Sequence, residues 1–139
     1  MKTTTRTYTL LLLILLVGCS TDEPVRGGNG LWGTWRLYEE GSGGEVGVDY
    51  FTAPVPATPL QSLTFTNGDE LRSQGSRLTN FFKSPYYRTN STKTGFRLQF
   101  LASRKDTTGF GVGLSIKGDT MRITPACIEG CHYGFVRIR

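Results

Sequence analysis

The stretch CIEGCH near the end of the chain holds two of its three cysteines, Cys127 and Cys131, beside its only histidine, His132. In an exported protein two thiols at this spacing are expected to form a disulfide across a tight turn, which Gly130 would ease. The same thiols and His132 could bind a metal ion, but structural zinc takes four ligands and no second Cys/His cluster exists. A reactive dithiol usually has the spacing Cys-x-x-Cys at a helix start, which differs from this one. We predict a structural disulfide, worth about 2 kcal/mol for so short a loop, and no metal site.

The rest of the chain offers no recognisable catalytic set. Any Ser-His-Asp arrangement would need His132, and no Gly-x-Ser-x-Gly turn is present. The adjacent carboxylates Glu39-Glu40 and Asp69-Glu70 would face opposite sides of extended strands, so neither pair converges on one substrate. Phosphate-binding loops, haem motifs and calcium loops are absent from the sequence. We therefore expect no catalytic residues, no cofactor and no enzyme activity, and we interpret His132 as a hydrogen-bonded turn residue.

The start of the chain has the layout of an export signal. Lys2 and Arg6 precede an uninterrupted apolar run over residues 10–17, which is much shorter than the ~20 residues of a membrane-spanning helix. The run ends in LVGC, which resembles the lipobox of bacterial lipoproteins. That resemblance implies a cleaved signal peptide over residues 1–18 and lipid attachment to Cys19, where several acyl chains give stable anchoring. The alternative is an ordinary cleaved signal in which Cys19 has no role.

The residues that follow Cys19 predict where the chain is anchored. A serine directly after the lipidated cysteine is typical of sorting to the outer membrane, and STDE is similar to acidic signals for display on the cell surface. The glycine-rich VRGGNG then indicates a flexible spacer. Residues 19–30 are therefore interpreted as lipidated cysteine and tether. The predicted location is the outer membrane, with exposure at the cell surface as a further hypothesis.

Alternation of apolar and polar residues recurs from Leu31 onward, and no segment keeps a helical period. Asn67-Gly68 predicts a two-residue hairpin turn, and residues 78–84 could hold one helical turn. The stretch Gly41–Pro59 is too rich in glycine and proline for a regular element, apart from a short piece around Val48–Phe51. We predict one all-β domain over residues 31–139, an antiparallel up-and-down meander of about eight strands that closes into a small barrel.

Three features resemble the lipocalin-like domains of bacterial lipoproteins. Gly33-Thr34-Trp35 is similar to the Gly-x-Trp of the first lipocalin strand, and it is combined with a strand meander and an arginine-bearing last strand, FVRIR. The resemblance implies a calycin-type barrel whose base is closed by an arginine packed over Trp35, with Arg137 and Arg139 as candidates. The alternative is that Trp35 is an ordinary core residue and both arginines face water. The 109 residues of this domain leave little length for a large cavity, and an eight-stranded barrel is only just wide enough for its own side chains or one small ligand.

Two functional hypotheses follow, one with a ligand inside the barrel and one without. In the first, a small apolar or aromatic molecule binds at a mouth covered by the Gly41–Pro59 loop, because aromatic residues supply much of the contact area in pockets. The candidate contacts are Tyr50, Phe51, Phe81, Phe82, Tyr86 and Tyr87. The adjacent pairs among them cannot both face one core if they are extended, so one member of each would lie at a rim or on a partner. In the second hypothesis a filled barrel acts as a scaffold or binds an envelope protein.

Charge excludes one class of partner. Loss of Lys2 and Arg6 with the signal peptide lowers the 16 basic residues to 14, against 11 acidic ones, for a net charge of +3. These charges are spread out and form no basic block, so we expect no nucleic-acid partner. The expected partners are the membrane, through Cys19, and either a small apolar ligand or an envelope protein.

Overall fold

The computed structural model describes residues 30–43, 49–93, 95–127 and 130–138. These residues form an all-β domain with one short helix, which confirms the predicted fold class. Within these ranges no helix has the length and apolar character needed to cross a membrane. The signal peptide, Cys19, the tether up to residue 29 and Arg139 lie outside the described residues.

The described residues contain nine antiparallel strands, close to the number predicted. The sheet order is β4-β3-β1-β9-β8-β7-β6-β5, and β2 pairs with β1 beyond the end of β3. Because β2 and β3 follow each other along one edge of β1, the path around the sheet has eight positions. The elements are β1 (Gly33–Ser42), β2 (Phe51–Pro54), β3 (Ser62–Phe65), β4 (Leu71–Gln74), α1 (Ser76–Thr79), β5 (Tyr86–Thr92), β6 (Gly95–Leu101), β7 (Phe110–Lys117), β8 (Thr120–Thr124) and β9 (Cys131–Ile138).

The first strand joins the two halves of the meander. β1 pairs along its length with β9, the last strand, while its other edge pairs with β3 and then with β2. A register shift between Leu37 and Glu39 marks a β-bulge, which adds twist and bends the strand. We call the end where β1 begins and β9 ends the base, and the opposite end, where β9 begins, the disulfide end.

The predicted loop over Gly41–Pro59 is wrong in two places, at its start and in its middle. Gly41 and Ser42 belong to β1, and residues 51–54 form β2, so the regular element lies later than the predicted piece around Val48–Phe51. β2 pairs along a single edge, where a proline without an N–H is tolerated in a strand. Residues 44–48 of this stretch lie outside the described residues.

The hairpin between β3 and β4 also differs from the prediction. Its closing residues are Thr66 and Glu70: the backbone N–H of Thr66 donates to the carbonyl of Glu70 at 3.0 Å. The residue with positive φ is Asp69, at 60°, and a two-residue Asn-Gly turn would need positive φ at Asn67 and Gly68 instead. A three-residue loop that ends in a left-handed residue therefore replaces the two-residue turn.

The sheet curls until its two end strands meet. Glu70 and Tyr86 form an isolated bridge between the start of β4 and the start of β5. Two backbone hydrogen bonds flank it, from Leu71 N–H to Pro85 C=O at 2.8 Å and from Tyr87 N–H to Asp69 C=O at 2.9 Å. The two end strands therefore touch at this one bridge, which we call the seam, and the curled sheet is consistent with a small barrel.

The inside of the curled sheet is filled by large apolar side chains that form one cluster. Most come from alternating strand positions: Trp35, Leu37, Leu63, Phe65, Leu71, Tyr87, Leu98, Phe100, Val112, Leu114, Met121, Ile123 and Phe135. Leu78 from α1 and Phe82 just after it join the cluster, with 0% and 2% exposure. The helical turn predicted within residues 78–84 thus begins earlier, at Ser76, because the backbone N–H groups of Leu78 and Thr79 bond to the Gly75 carbonyl.

Candidate functional site

The base of the barrel is closed by an arginine packed on a tryptophan. The Arg137 guanidinium carbon lies 4.1 Å from the centre of the Trp35 ring, and the Trp35 indole N–H donates to the Leu31 carbonyl at 2.7 Å. Arg137 also donates to the carbonyls of Trp32 and Gly30, both at 2.6 Å. The guanidinium therefore binds the ring face and fastens the segment that leads into β1.

Gly33 makes this close approach of Arg137 feasible. Its φ is +124°, and a side-chain carbon placed there would lie 3.0 Å from Nη1 of Arg137. Asp119 in the β7–β8 turn contributes an ion pair, with its Oδ1 3.7 Å from Nε of Arg137. The structure thus brings Gly33, Trp35 and Arg137 together, and the Arg137 side chain keeps 22% of its surface exposed.

The disulfide end carries the predicted cysteine pair. Cys127 and Cys131 lie at disulfide distance, with their Cα atoms 5.8 Å apart. Gly130 between them has φ +82°, and its carbonyl accepts a hydrogen bond from Gly43 N–H at 2.8 Å. This bond ties the turn to the end of β1. Within the described ranges no three His, Cys, Asp or Glu side chains are grouped closely enough to hold a metal ion.

A second polar cluster lies on the outer face of β1 and β9, centred on His132. The His132 side chain is 3% exposed, its Nε2 is 2.6 Å from Oε1 of Glu39, and its Nδ1 bonds to the Tyr50 hydroxyl. A carboxylate can only accept, so Nε2 carries a hydrogen and Nδ1 of a neutral ring accepts from Tyr50. Arg122 completes the cluster 3.5 Å from Glu39. We call these four residues the histidine cluster.

The sequence did not indicate the histidine cluster. His132 is a strand residue rather than the predicted turn residue, because β9 starts at Cys131. The ring fits there because Gly41, its neighbour across β1 and β9, has no side chain; a Cβ at Gly41 would collide with His132 and with the Tyr50 hydroxyl. A glycine inside a strand pattern is the signal that could have pointed to such a close approach.

The six aromatic candidates do not line one common pocket. Tyr50 and Phe51 lie on the outside, with 50% and 53% of their surfaces exposed, and Tyr50 stacks on His132. Tyr86 also faces outward, where Arg104 lies 5.4 Å from its ring centre and is paired with Glu70 at 2.8 Å. These three residues belong to two separate parts of the outer surface.

Tyr87 faces inward, as expected for the neighbour of Tyr86 on an extended strand. Its ring packs edge-on against Phe65 with centres 5.0 Å apart, and its hydroxyl donates to the Thr66 carbonyl at 2.7 Å. Burial raises the pKa of this phenol above its ordinary value of 10.0. Its hydroxyl therefore stays protonated and hydrogen-bonded beside the seam.

Phe81 and Phe82 both lie against the barrel interior at the disulfide end. Phe82 is buried among Phe100, Tyr133 and Phe135, while Phe81 is partly buried against Tyr133 and the exposed Phe110. The expectation that neighbouring aromatics must face opposite sides fails here because the chain after α1 is a turn and not a strand. This pair closes the disulfide end of the barrel.

A concave surface of 560 Å³ lies on the outer wall formed by β6, β7 and the end of β8. Its floor contains Gly111 and Gly113, and Arg97 stands at its side. Thr92, Ser115 and Thr124 also line it. We call this concavity the outer groove. No feature of the sequence pointed to it, because its residues come together only through the register of three strands.

Comparison with known proteins adds no assignment. No protein-family model, curated protein sequence or solved structure matches this chain.

Proposed function

We propose that this chain is an exported, lipid-anchored lipoprotein of the lipocalin-like type that works as a non-catalytic binding or interaction module through the outside of a filled barrel. The observation that carries this proposal is the packing of the interior. Trp35, Phe65, Phe82 and Phe135 are each at most 2% exposed and belong to one cluster. An eight-stranded barrel can be filled in this way by its own side chains.

Side chains occupy both ends of the interior, from the last strand at one end and from the segment of α1 at the other. At the base, Arg137 lies over Trp35 and holds the Gly30–Trp32 segment in place. At the disulfide end, Leu78 and Phe82 reach into the same core cluster as the strand residues. An apolar ligand inside the barrel would have to displace one of these groups, so a role for the outer surface is better supported than a carrier role.

The anchor is proposed from the lipobox-like LVGC and its Cys19. The tether after Cys19 would lead to Gly30, which Arg137 holds at the base of the barrel. On this proposal the base lies nearest the membrane, and the outer wall and the disulfide end stay accessible to partners in the envelope.

The environment of the single histidine supports a non-catalytic role. Both ring nitrogens of His132 are occupied, by Glu39 and by Tyr50, and the side chain is buried. A general base must reach the proton that it removes. His132 is engaged on both sides, in a cluster that holds Tyr50 against β9.

Two measurements test the proposal. The N-terminal peptide of the mature protein should have the mass of an acylated Cys19, and Cys19→Ala should abolish that mass and release the protein from the membrane. For the interior, the full chain in detergent should not bind benzene, whereas Phe82→Ala should bind it in the space left by the ring, with a loss of about 4 kcal/mol of stability. Benzene binding by the unaltered protein would favour the apolar-ligand hypothesis instead.

A further inference from the structure

The wall of the barrel built by β5 to β8 is basic. Between Tyr86 and Thr124 the chain has seven Lys or Arg residues and two acidic residues, Asp106 and Asp119. Two of the cations are paired with carboxylates from elsewhere, Arg104 with Glu70 and Arg122 with Glu39. A surface with such an excess of unpaired positive charge attracts anions.

Arg97 projects from the middle of this wall. Its neighbours Phe96 and Leu98 pack with the core, so alternation along β6 turns Arg97 outward. The strand register places it between Asn90 on β5 and Gly113 on β7. Among the residues that the structure describes, no hydrogen bond or ion pair engages its guanidinium.

The outer groove exists because glycines replace side chains beside Arg97. Val112 and Leu114 face the core, so Gly111 and Gly113 face outward. Arg97 lies across Gly111, where a Cβ would collide with the guanidinium. Gly113 lies between Arg97 and Thr124 in the register, and its missing side chain leaves a concavity of 560 Å³, within the range of small-molecule sites.

Some polar side chains near the groove already form hydrogen bonds within the protein, and others do not. Asn90 donates to Gln99 at 2.7 Å, so these two amides bond to each other and not to Arg97. The side-chain hydroxyls of Ser115 and Thr124 make no hydrogen bond within the described part of the chain. The groove thus offers one guanidinium and two hydroxyls that are available to a ligand.

We propose that the outer groove binds a sugar that carries one oxyanion, a carboxylate or a phosphate ester. Arg97 binds the oxyanion, since a guanidinium presents two parallel N–H groups that match it. Ser115 and Thr124 exchange hydrogen bonds with the sugar hydroxyls, and the glycine floor lets the ring lie close to the backbone. This inference deepens the proposed function, on which it rests for the outer wall as the working surface, and names its ligand class.

The test is saturation-transfer NMR on the full chain in detergent. The probes are glucuronate and glucose 6-phosphate, with glucose for comparison and inorganic phosphate added as a competitor against glucose 6-phosphate. Arg97→Gln removes the charge, and Gly113→Leu fills the floor; a Cβ at Gly113 comes no closer than 3.5 Å to Thr124, so the backbone accepts a side chain there. Lys105→Gln removes an exposed charge away from the groove and serves as the matched control, with unfolding curves recorded for all variants.

Both anionic sugars should bind saturably, and glucose and phosphate more weakly. Arg97→Gln should weaken binding about tenfold or more, Gly113→Leu should abolish it, and Lys105→Gln should leave it unchanged. Binding of phosphate as tight as that of glucose 6-phosphate would overturn the sugar assignment. Absence of binding by either sugar, or equal binding by the Arg97→Gln protein, would overturn the site, while the benzene result tests the filled barrel separately.

Discussion

Arg137 and Trp35, 102 positions apart in the chain, meet face to face at the base of the barrel, with the guanidinium 4.1 Å from the ring centre. The two residues are direct cross-strand partners between β1 and β9. The same guanidinium holds the carbonyls of Gly30 and Trp32. One side chain therefore links the first strand, the last strand and the segment that leads into the domain.

Removal of the Arg137 guanidinium should destabilise the protein strongly. Arg137→Ala loses the ring contact and two charged hydrogen bonds, for about 3 kcal/mol of unfolding free energy. Arg137→Lys keeps the charge but not the planar donor set, so its unfolding free energy should lie between that of the unaltered protein and that of Arg137→Ala. Urea unfolding measures the effect. Arg88→Ala, an exposed arginine on another strand, should change stability by less than about 0.5 kcal/mol; equal losses for Arg88→Ala and Arg137→Ala would contradict the assignment.

Gly33 should be intolerant of a side chain. Gly33→Ala introduces a Cβ at φ +124° and 3.0 Å from Arg137 Nη1, and we expect a loss of about 2 kcal/mol. Gly113→Ala is the matched control because its φ is not in the positive range and its nearest neighbour would be at 3.5 Å. Thermal unfolding should therefore separate the two variants clearly. A Gly33→Ala protein as stable as the Gly113→Ala protein would mean that the base can rearrange around a methyl group.

The histidine cluster should behave as one coupled unit. Tyr50→Phe leaves Nδ1 of the buried His132 without its partner and should cost about 1 kcal/mol. In a His132→Ala background the same change should cost little, because the partner is already gone. A double-mutant cycle by chemical denaturation measures this coupling. Tyr86→Phe, which removes a hydroxyl with no hydrogen bond among the described residues, is the control; additive losses at Tyr50 and His132 would argue against the cluster.

Stability should fall at alkaline pH because the phenols of Tyr87, which is buried, and Tyr133, which is partly buried, resist ionisation. Burial raises the pKa of Tyr87 and of Tyr133 above 10.0, so the folded protein holds protons that the unfolded chain releases. Their contribution is complete below pH 10.0 and is lost as the pH rises from there through the folded-state pKa values. Unfolding curves across this range test the sign. Tyr87→Phe should flatten the decline and Tyr86→Phe should not; a stability that rises above pH 10.0 would contradict the account.

The sequence predicted the elements that depend on local pattern. Alternation at Leu63 and Phe65 and at Val112 and Leu114 indicated strands whose apolar residues are buried. It placed a short regular piece around Val48–Phe51, whereas β2 covers Phe51–Pro54. All four residues of β2 are exposed, so this strand has no buried apolar face for a sequence pattern to indicate. The hairpin at Asn67-Gly68 was predicted with the wrong turn, because Asp69 takes the left-handed conformation.

Polar contacts between distant residues were beyond the reach of sequence patterns. Glu39 and His132 are 93 positions apart, and Tyr50 and His132 are 82 apart, and nothing local marks them as partners. Their contact follows from the register of β1 against β9 and from the space at Gly41. The outer groove likewise depends on the pairing of β6, β7 and β8, which fixes the neighbours of Arg97.

Native mass spectrometry of the protein, purified in detergent from the cells that make it and carrying the lipid anchor that we propose, tests the filled barrel most directly. We predict the mass of the polypeptide and its covalent lipid, with no apolar molecule lost when the same sample is denatured. An apolar molecule that is carried through purification and lost on denaturation would contradict the account, because Trp35, Phe82 and Phe135, each at most 2% exposed, would have to move to make room for it.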